Sequence, residues 1–270
     1  MINITDNEFI QLVTYIKNNY GINIREEKRA LLTGRLSNTL INEGYKSFTE
    51  FYEALITDNS KETVTKLLNR ITTNHTFFMR EKDHFEFFKT DVLPFLKNNV
   101  KDYDLRIWCA ACSTGEESYT LAMILDEYFE KDRFKWDKKI LATDISEKVL
   151  NIAKQGIYSN EKVDLLPSTW KSKYFKTYDE NSFIVKDEIK KEVIYRKLNL
   201  MESKYPFKQK LHVVFCRNVM IYFDYETKNN IIKKLYNVLE DDGYLFIGHS
   251  ETVSNDFGFK YIKPAVYRKT

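Results

Sequence analysis

The sequence predicts an all-helical N-terminal unit followed by an α/β domain on a parallel sheet, with a small antiparallel β-subdomain inserted. Three observations carry this reading. From Asp6 to Arg70 apolar residues recur at helical spacing, with no strand pattern. From Leu105 onward short apolar runs alternate with helical patterns, as in parallel strands joined by helices. The stretch 173–198, with Tyr174, Phe175, Phe183, Ile184, Val185, Val193, Ile194 and Tyr195, reads as short antiparallel strands set into that scheme.

Taken in order, the helical stripes are Phe9, Leu12, Val13 and Ile16; Leu31, Leu32, Leu36 and Leu40; Phe51 and Leu55; and Val64, Leu67 and Leu68. Gly21 and Gly44 stand where helix ends are expected, and Ser47 and Ser60 where N-caps are. A further helical stretch runs to about Lys97. Strands are then expected over Leu105–Ala110 and Lys139–Thr143, followed by helices over roughly Glu116–Phe129 and Glu147–Gln155. Runs at 211–216 and 243–249 flank a helix over Tyr225–Leu239. The expected domains are 1–72, helical, and 73–270, α/β, with the β-subdomain at about 170–198.

The chain has 270 residues and is 43% hydrophobic, enough for one large domain or a medium domain plus a small one. Its 42 basic and 39 acidic side chains leave a net charge of only +3, which argues against a general nucleic-acid binder. Three cysteines make a poor disulfide framework. No stretch approaches membrane-spanning length, and "MINITDNEF" lacks a cationic lead into an apolar segment. A cytoplasmic protein without nucleic-acid partners or membrane insertion is expected.

The segment "RIWCAACSTGEESYTLAMIL" (106–125) falls between a strand and a helix, where ligands bind in open parallel sheets. Cys109 and Cys112 have C-x-x-C spacing but no second pair, so no metal is expected. Strand alternation turns Cys109 away from Cys112, and both read as small buried thiols. A phosphate loop is excluded, because no G-K-[ST] follows. The small residues from Ala110 to Gly115 let a ligand approach the backbone, and Glu116 and Glu117 then open the helix. The helix dipole accounts for one of these acids; the second suits a positively charged nucleoside. Asp144, ending "ILATD", is either an acceptor for ribose hydroxyls or the cap of the next helix. Together these features suggest S-adenosylmethionine, which carries a ribose and a sulfonium but no phosphate.

Several blocks in one order then resemble the chemotaxis receptor methyltransferases, the CheR family of protein-glutamate O-methyltransferases. They are "TTNHTFFMREKDHF" (72–85), "RIWCAACSTGEESYTLAM" (106–123), "LATDISEKVLNIAKQGIY" (141–158), "KLNL" (197–200), "VVFCRNVMIYFD" (213–224) and "GYLFIGHSE" (243–251). The resemblance implies a Rossmann-like S-adenosylmethionine-dependent methyltransferase fold behind the helical domain. It implies cofactor contacts at Asn74, Thr76, Arg80, Glu117, Asp144, Asn199, Leu200 and Arg217, with Asn218 beside them. Arg80 and Tyr222 would handle the substrate carboxylate, Tyr222 either as a donor to one oxygen or as an aromatic wall. Met79 departs from the Phe or similar group that the family usually shows there.

The implied activity is methylation of glutamate side chains on the cytoplasmic signalling domains of chemoreceptors. Arg25, Lys28 and Arg35 fall within about a third of a helix circumference and form either a docking face for acidic methylation helices or a solvated face. Asn38 and Ile41 stand where other members extend that basic face. The segment "KYFKTYDENSFIVK" (173–186) lacks the longer, glycine-containing loop of members that hold a receptor's C-terminal pentapeptide, so a tether-independent enzyme is expected. A base methyltransferase needs a proline-containing clamp where this chain has "CRNV", and a small-molecule enzyme leaves the helical unit without a role. The alternative is a non-catalytic S-adenosylmethionine-binding module that docks on receptors; it would be expected to have lost Arg80, Tyr222 or the acidic positions, and none is missing.

Overall fold

The structure, a computed structural model, describes residues 2–60, 62–72, 74–254 and 257–270. Thr73, at the expected domain boundary, lies outside them. Helix α1 (Asp6–Tyr20) opens on a capping box between Thr5 and Glu8, whose carboxylate also accepts from the Thr49 backbone at 2.8 Å. α2 (Arg29–Asn42), α3 (Phe48–Thr57, capped by Ser47) and α4 (Glu62–Ile71) complete the helical unit. Its core is its own: Phe9, Leu12, Leu36, Leu40, Phe51 and Leu67 are buried together. Leu31 is the exception at 52% exposed, because the buried row runs Leu32, Leu36, Leu40 and its neighbour points about 100° away.

The basic residues of this unit do not share a helix face. α2 begins only at Arg29; Arg25 is extended, and Lys28 closes a single tighter turn over Glu26–Lys28. Of Arg25, Lys28 and Arg35, Arg35 alone lies on α2, and it donates to the Ile71 carbonyl at 3.5 Å. The 3.6-residue period does not hold across the start of α2.

α5 (Lys82–Phe87) and α6 (Leu93–Asn99) are joined by a wider turn over Phe88–Val92, just before Pro94, which has no N–H to give to the preceding turn. Then come β1 (Ile107–Ala110), α7 (Glu116–Tyr128), β2 (Ile140–Asp144), α8 (Glu147–Gln155), β3 (Ile157–Ser159), α9 (Asn160–Val163), α10 (Ser168–Tyr174), β4 (Phe175–Asp179), β5 (Ser182–Val185), α11 (Asp187–Lys190) and β6 (Val193–Lys197). β7 (Leu211–Cys216), α12 (Tyr225–Val238), β8 (Leu239–Phe246), β9 (Phe259–Lys263) and β10 (Val266–Lys269) end the chain.

Seven strands form one sheet in the order β6-β2-β1-β7-β8-β10-β9, parallel except at β10, which runs antiparallel to both neighbours. β1 is buried on both sides: Ile107 and Cys109 enter one apolar layer, Trp108 and Ala110 the other. Chain order reverses across β1, with β2 on one side and β7 on the other. That switch point opens a crevice at the strand ends. Phe215 and Phe246 stack at 4.3 Å, Phe85 lies parallel to Phe215, and α5 is thereby fixed against the sheet.

The small antiparallel sheet is β3-β5-β4, so it spans Ile157 to Val185 rather than about 170–198. Val193–Lys197 instead joins the main sheet parallel to β2. Its alternation of buried Val193 and Tyr195 with exposed Ile194 and Arg196 imitates an antiparallel strand because it lies at the sheet's edge.

Two histidines are buried within this framework. His84 on α5 is wholly buried, edge-on to Phe246, and neither ring nitrogen has a hydrogen-bond partner. Burial, then repulsion from Arg217, holds its pKa down to about 4. His212 is lowered in the same way by burial and Arg106. The unfolded chain thus takes up these protons first, and stability declines as pH falls from about 6.5 towards 4. Urea midpoints measured at pH 6.5 and 4.5 are expected to show this decline, and His84→Phe to flatten it; an unchanged slope in the variant contradicts the assignment.

Candidate active site

The crevice beyond β1, β2 and β7 is a cavity walled by six segments of chain. Asn74, Thr76 and Arg80 come from the stretch between α4 and α5; Ala111, Cys112 and Ser113 follow β1; Glu117 lies in the first turn of α7. Asp144 ends β2, Asn199 and Leu200 follow β6, and Arg217, Asn218 and Tyr222 follow β7. All ten residues expected at the cofactor or substrate carboxylate therefore face one space, whereas Arg25, Lys28 and Arg35 do not. Tyr20, Ile22, Ile145, Val219 and Phe223 also line it and were not anticipated. Tyr20 and Ile22 come from the helical unit, and no local pattern in the sequence announces that α1 ends at this wall.

The loop after β1 is a strained turn. Ala111, Ser113 and Gly115 have φ of 60°, 50° and 96°, values that cost energy for residues other than glycine. Asp144 compensates by accepting from the Ser113 backbone at 2.9 Å, and Cys112 donates its backbone N–H to Thr143 at 2.8 Å. The other Asp144 oxygen accepts from Ser146 N–H at 2.9 Å, and Ser146 itself caps α8. Asp144 is thus not the helix cap; it ties the loop to the strand end from within the cavity wall. Burial raises its pKa, against the backbone N–H groups that hold the charge.

Gly115 has a different task from the one its place in a small-residue run suggested. A Cβ there would stand 2.8 Å from Ala153 Cβ and 2.9 Å from the Tyr195 hydroxyl, so packing, not ligand approach, excludes a side chain. Ala110 likewise lies in the core. Only Ala111, Cys112 and Ser113 of that run face the cavity.

The two glutamates diverge as consecutive helical residues must. Glu116 turns into the core, where Lys162 Nζ at 2.5 Å and the Thr114 hydroxyl at 2.6 Å satisfy it. Glu117 faces the cavity and accepts from Arg217 Nη1 at 2.5 Å and from the Cys109 thiol at 3.1 Å. Burial pushes the thiols of Cys109 and Cys112 well up, and all three cysteines are unpaired. Cys109 is therefore more than a packing residue: it donates to the acid that lines the site.

Arg217 is buried and bonds in the opposite direction to Glu81 Oε2 at 2.9 Å and to the Arg80 carbonyl. Burial alone would raise Glu81, but the Asn218 amide at 3.0 Å and the Arg217 charge bring its pKa down to about 2. Met79 and Glu81, at φ of 60° and 56°, bracket Arg80 in left-handed backbone. The Arg80 side chain folds back on the His75 carbonyl at 2.6 Å. Glu81, His84 and His249 bring ligand-type atoms within 4.8 Å of one another, but the Glu81 oxygens already serve Arg217, Asn218 and the His249 backbone. A dication there would face the guanidinium directly.

Tyr222 ends a short turn over Met220–Tyr222, and its carbonyl accepts from Asn23 N–H at 2.8 Å. The Ile22–Phe223 bridge and the Lys17–Asp224 ion pair at 2.7 Å fasten the same turn to the helical unit.

The sequence model of the CheR methyltransferase all-alpha domain matches residues 7–72, and that of the CheR methyltransferase SAM binding domain matches residues 74–267. The chain is 45% identical to a chemotaxis protein methyltransferase of Borreliella burgdorferi, over 99% of this chain and 96% of that protein. It is 37% identical to a probable chemotaxis protein methyltransferase of Rhizobium etli, over 87% of this chain and 89% of that protein. With the chemotaxis protein methyltransferase of Escherichia coli the identity is 32%, over 93% and 86% of the two chains. The cavity fits the cofactor this implies: its wall carries Glu117 and Asp144, and the Ser113 hydroxyl, buried there, has no hydrogen-bond partner. The chain belongs to the CheR methyltransferase family, and its cofactor is S-adenosylmethionine.

Proposed function

We propose that the protein methylates glutamate side chains of chemoreceptor signalling domains in the cytoplasm, forming methyl esters during chemotactic adaptation. The observation that carries this reading is the convergence of Arg80 and Tyr222 with Glu117 and Asp144 on one cavity that the helical unit helps to wall. When bound, S-adenosylmethionine supplies a methyl group on a positively charged sulfur. Asn74, Thr76, Asn199, Leu200 and Asn218 would hold it together with the two acids. A substrate glutamate, with an ordinary pKa of about 4.3, is already ionised at neutral pH, so no residue has to remove a proton. The work left to the chain is alignment and exclusion of water, for which effective molarities of about 10⁵–10⁸ M set the scale.

Arg80 orients the incoming carboxylate; a full ion pair would instead hold the ground state and blunt the nucleophile. Tyr222 donates to one carboxylate oxygen and leaves the other to react. Tyr20, Ile22 and Phe223 supply the apolar part of the wall. Arg25 and Lys28, both exposed and two to five residues beyond Asn23, give a receptor's acidic helix a foothold near the turn that carries Tyr222. Among the described residues no helix is long and apolar enough to cross a membrane.

The β4–β5 connection is a tight turn in which Asp179 accepts from Asn181 N–H at 2.9 Å and from the Ser182 hydroxyl at 2.7 Å. It presents no extended loop beside exposed β4, which supports a protein that works without a receptor tether. A receptor C-terminal pentapeptide is therefore expected to give no calorimetric signal at micromolar concentrations; micromolar affinity would refute tether independence.

With methyl-labelled S-adenosylmethionine and a receptor signalling fragment, label released as methanol by alkali is expected. Arg80→Ala is expected to lower that rate by about 100-fold or more, as misplacing a reacting group by about 1 Å does. Cofactor binding without any alkali-labile methyl on receptors would instead favour the docking-module alternative.

A further inference from the structure

Behind the Tyr222 turn lies a carboxylate with no part in cofactor contact. Glu251, in the loop after β8, is 4% exposed. Its Oε2 accepts from Asn218 N–H at 3.0 Å and from Gly248 N–H at 2.6 Å, and its Oε1 accepts from Ile221 N–H at 3.2 Å. Buried carboxylates are costly unless paired. This one is held by backbone N–H groups, and two of them, from Asn218 and Ile221, belong to the turn that places Asn218 and Tyr222 on the cavity wall. The first N–H groups of a short helical turn have no partner within it, and Glu251 supplies one from another part of the chain.

Gly248 shows how close the two loops are. A Cβ at this position would lie 2.3 Å from Asn218 Nδ2 and 2.9 Å from its backbone nitrogen. Asn218 itself is held at φ 56°. The turn is thus pressed into shape from the β8 side by Glu251 and Gly248, and from the helical unit by the Asn23–Tyr222 hydrogen bond.

We propose that Glu251 is a positioning residue for methyl transfer: its carboxylate gathers the N–H groups of the 218–221 turn so that Asn218 and Tyr222 face the cavity. This rests on the role given to Tyr222 above, and two measurements separate the two ideas. Amide hydrogen exchange of Glu251→Gln needs no substrate: exchange is expected to quicken at Asn218 and Ile221 while β1 and β7 stay protected. Unchanged exchange at the turn, or uniform loss of protection, overturns the proposal.

The second measurement is a cycle of wild type, Glu251→Gln, Tyr222→Phe and the double variant, scored as kcat for alkali-labile methyl transfer with cofactor affinity measured in parallel. Glu251→Gln is expected to lower kcat at saturating cofactor by up to about 100-fold and, through Asn218, to weaken cofactor affinity, and the double variant to fall no further in kcat than the worse single one. Losses that multiply, or full kcat in Glu251→Gln, overturn the proposal. If Glu251→Gln does not fold, Glu251→Asp, which keeps the charge on a shorter arm, takes its place in both measurements. A wild type that yields no labile methyl refutes the glutamate-ester reading instead, and hydrogen exchange alone then decides the role of Glu251.

Discussion

Arg217 has 1% of its side chain exposed, and two carboxylates from distant parts of the chain meet it, Glu117 from α7 and Glu81 from the head of α5. A lone buried guanidinium would cost several kcal/mol, and so would either acid left without it. The three are therefore obliged to occur together, and in doing so they lock the end of β7, the start of α7 and the segment carrying Arg80 into one arrangement. On the cavity wall itself Glu117 and Asp144 stand with Arg80 and Arg217, and because Glu81 takes the other side of Arg217, the Glu117 carboxylate is held in place facing the space a cationic ligand would fill. This placement also explains why Cys109 donates inward to Glu117, since a buried acid needs every donor within reach.

The helical unit is not a separate attachment to this machinery. Asn199 Nδ2 donates to the Asn19 carbonyl at 2.8 Å, Asn23 holds the Tyr222 carbonyl, and Lys17 pairs with Asp224. A receptor helix resting near Arg25 would therefore press on a segment only two residues from a hydrogen bond to the Tyr222 turn. The segment that carries Arg25 and the turn that carries Tyr222 are joined by short links.

Much of this was legible in the sequence where local physics decides. Alternation of strand and helix placed Glu147–Gln155 and Leu211–Cys216 at their observed bounds, the first because Ser146 and Gly156 cap it, the second because it is a short run buried at every position. The blocks shared with the family brought ten residues to one cavity. Legibility failed where long-range geometry decides. Val193–Lys197 alternates because it is an edge strand, and periodicity cannot say which sheet it edges. Arg25 and Lys28 left the helix face because α2 starts at Arg29, a boundary without a side-chain cap. The sequence leaves Asp144 open between a cap and a ligand acceptor, and only the structure assigns the cap of α8 to Ser146. Glu251 had no signal of its own, since its partners are backbone groups spread over 30 positions.

The most direct test is calorimetric titration of S-adenosylmethionine into the wild type and Glu117→Gln, with circular dichroism to confirm that both are folded. If Glu117, fixed by Arg217, holds the cofactor, the variant binds at least about tenfold more weakly, a loss of about 1.4 kcal/mol. Equal affinity in a folded variant would contradict it.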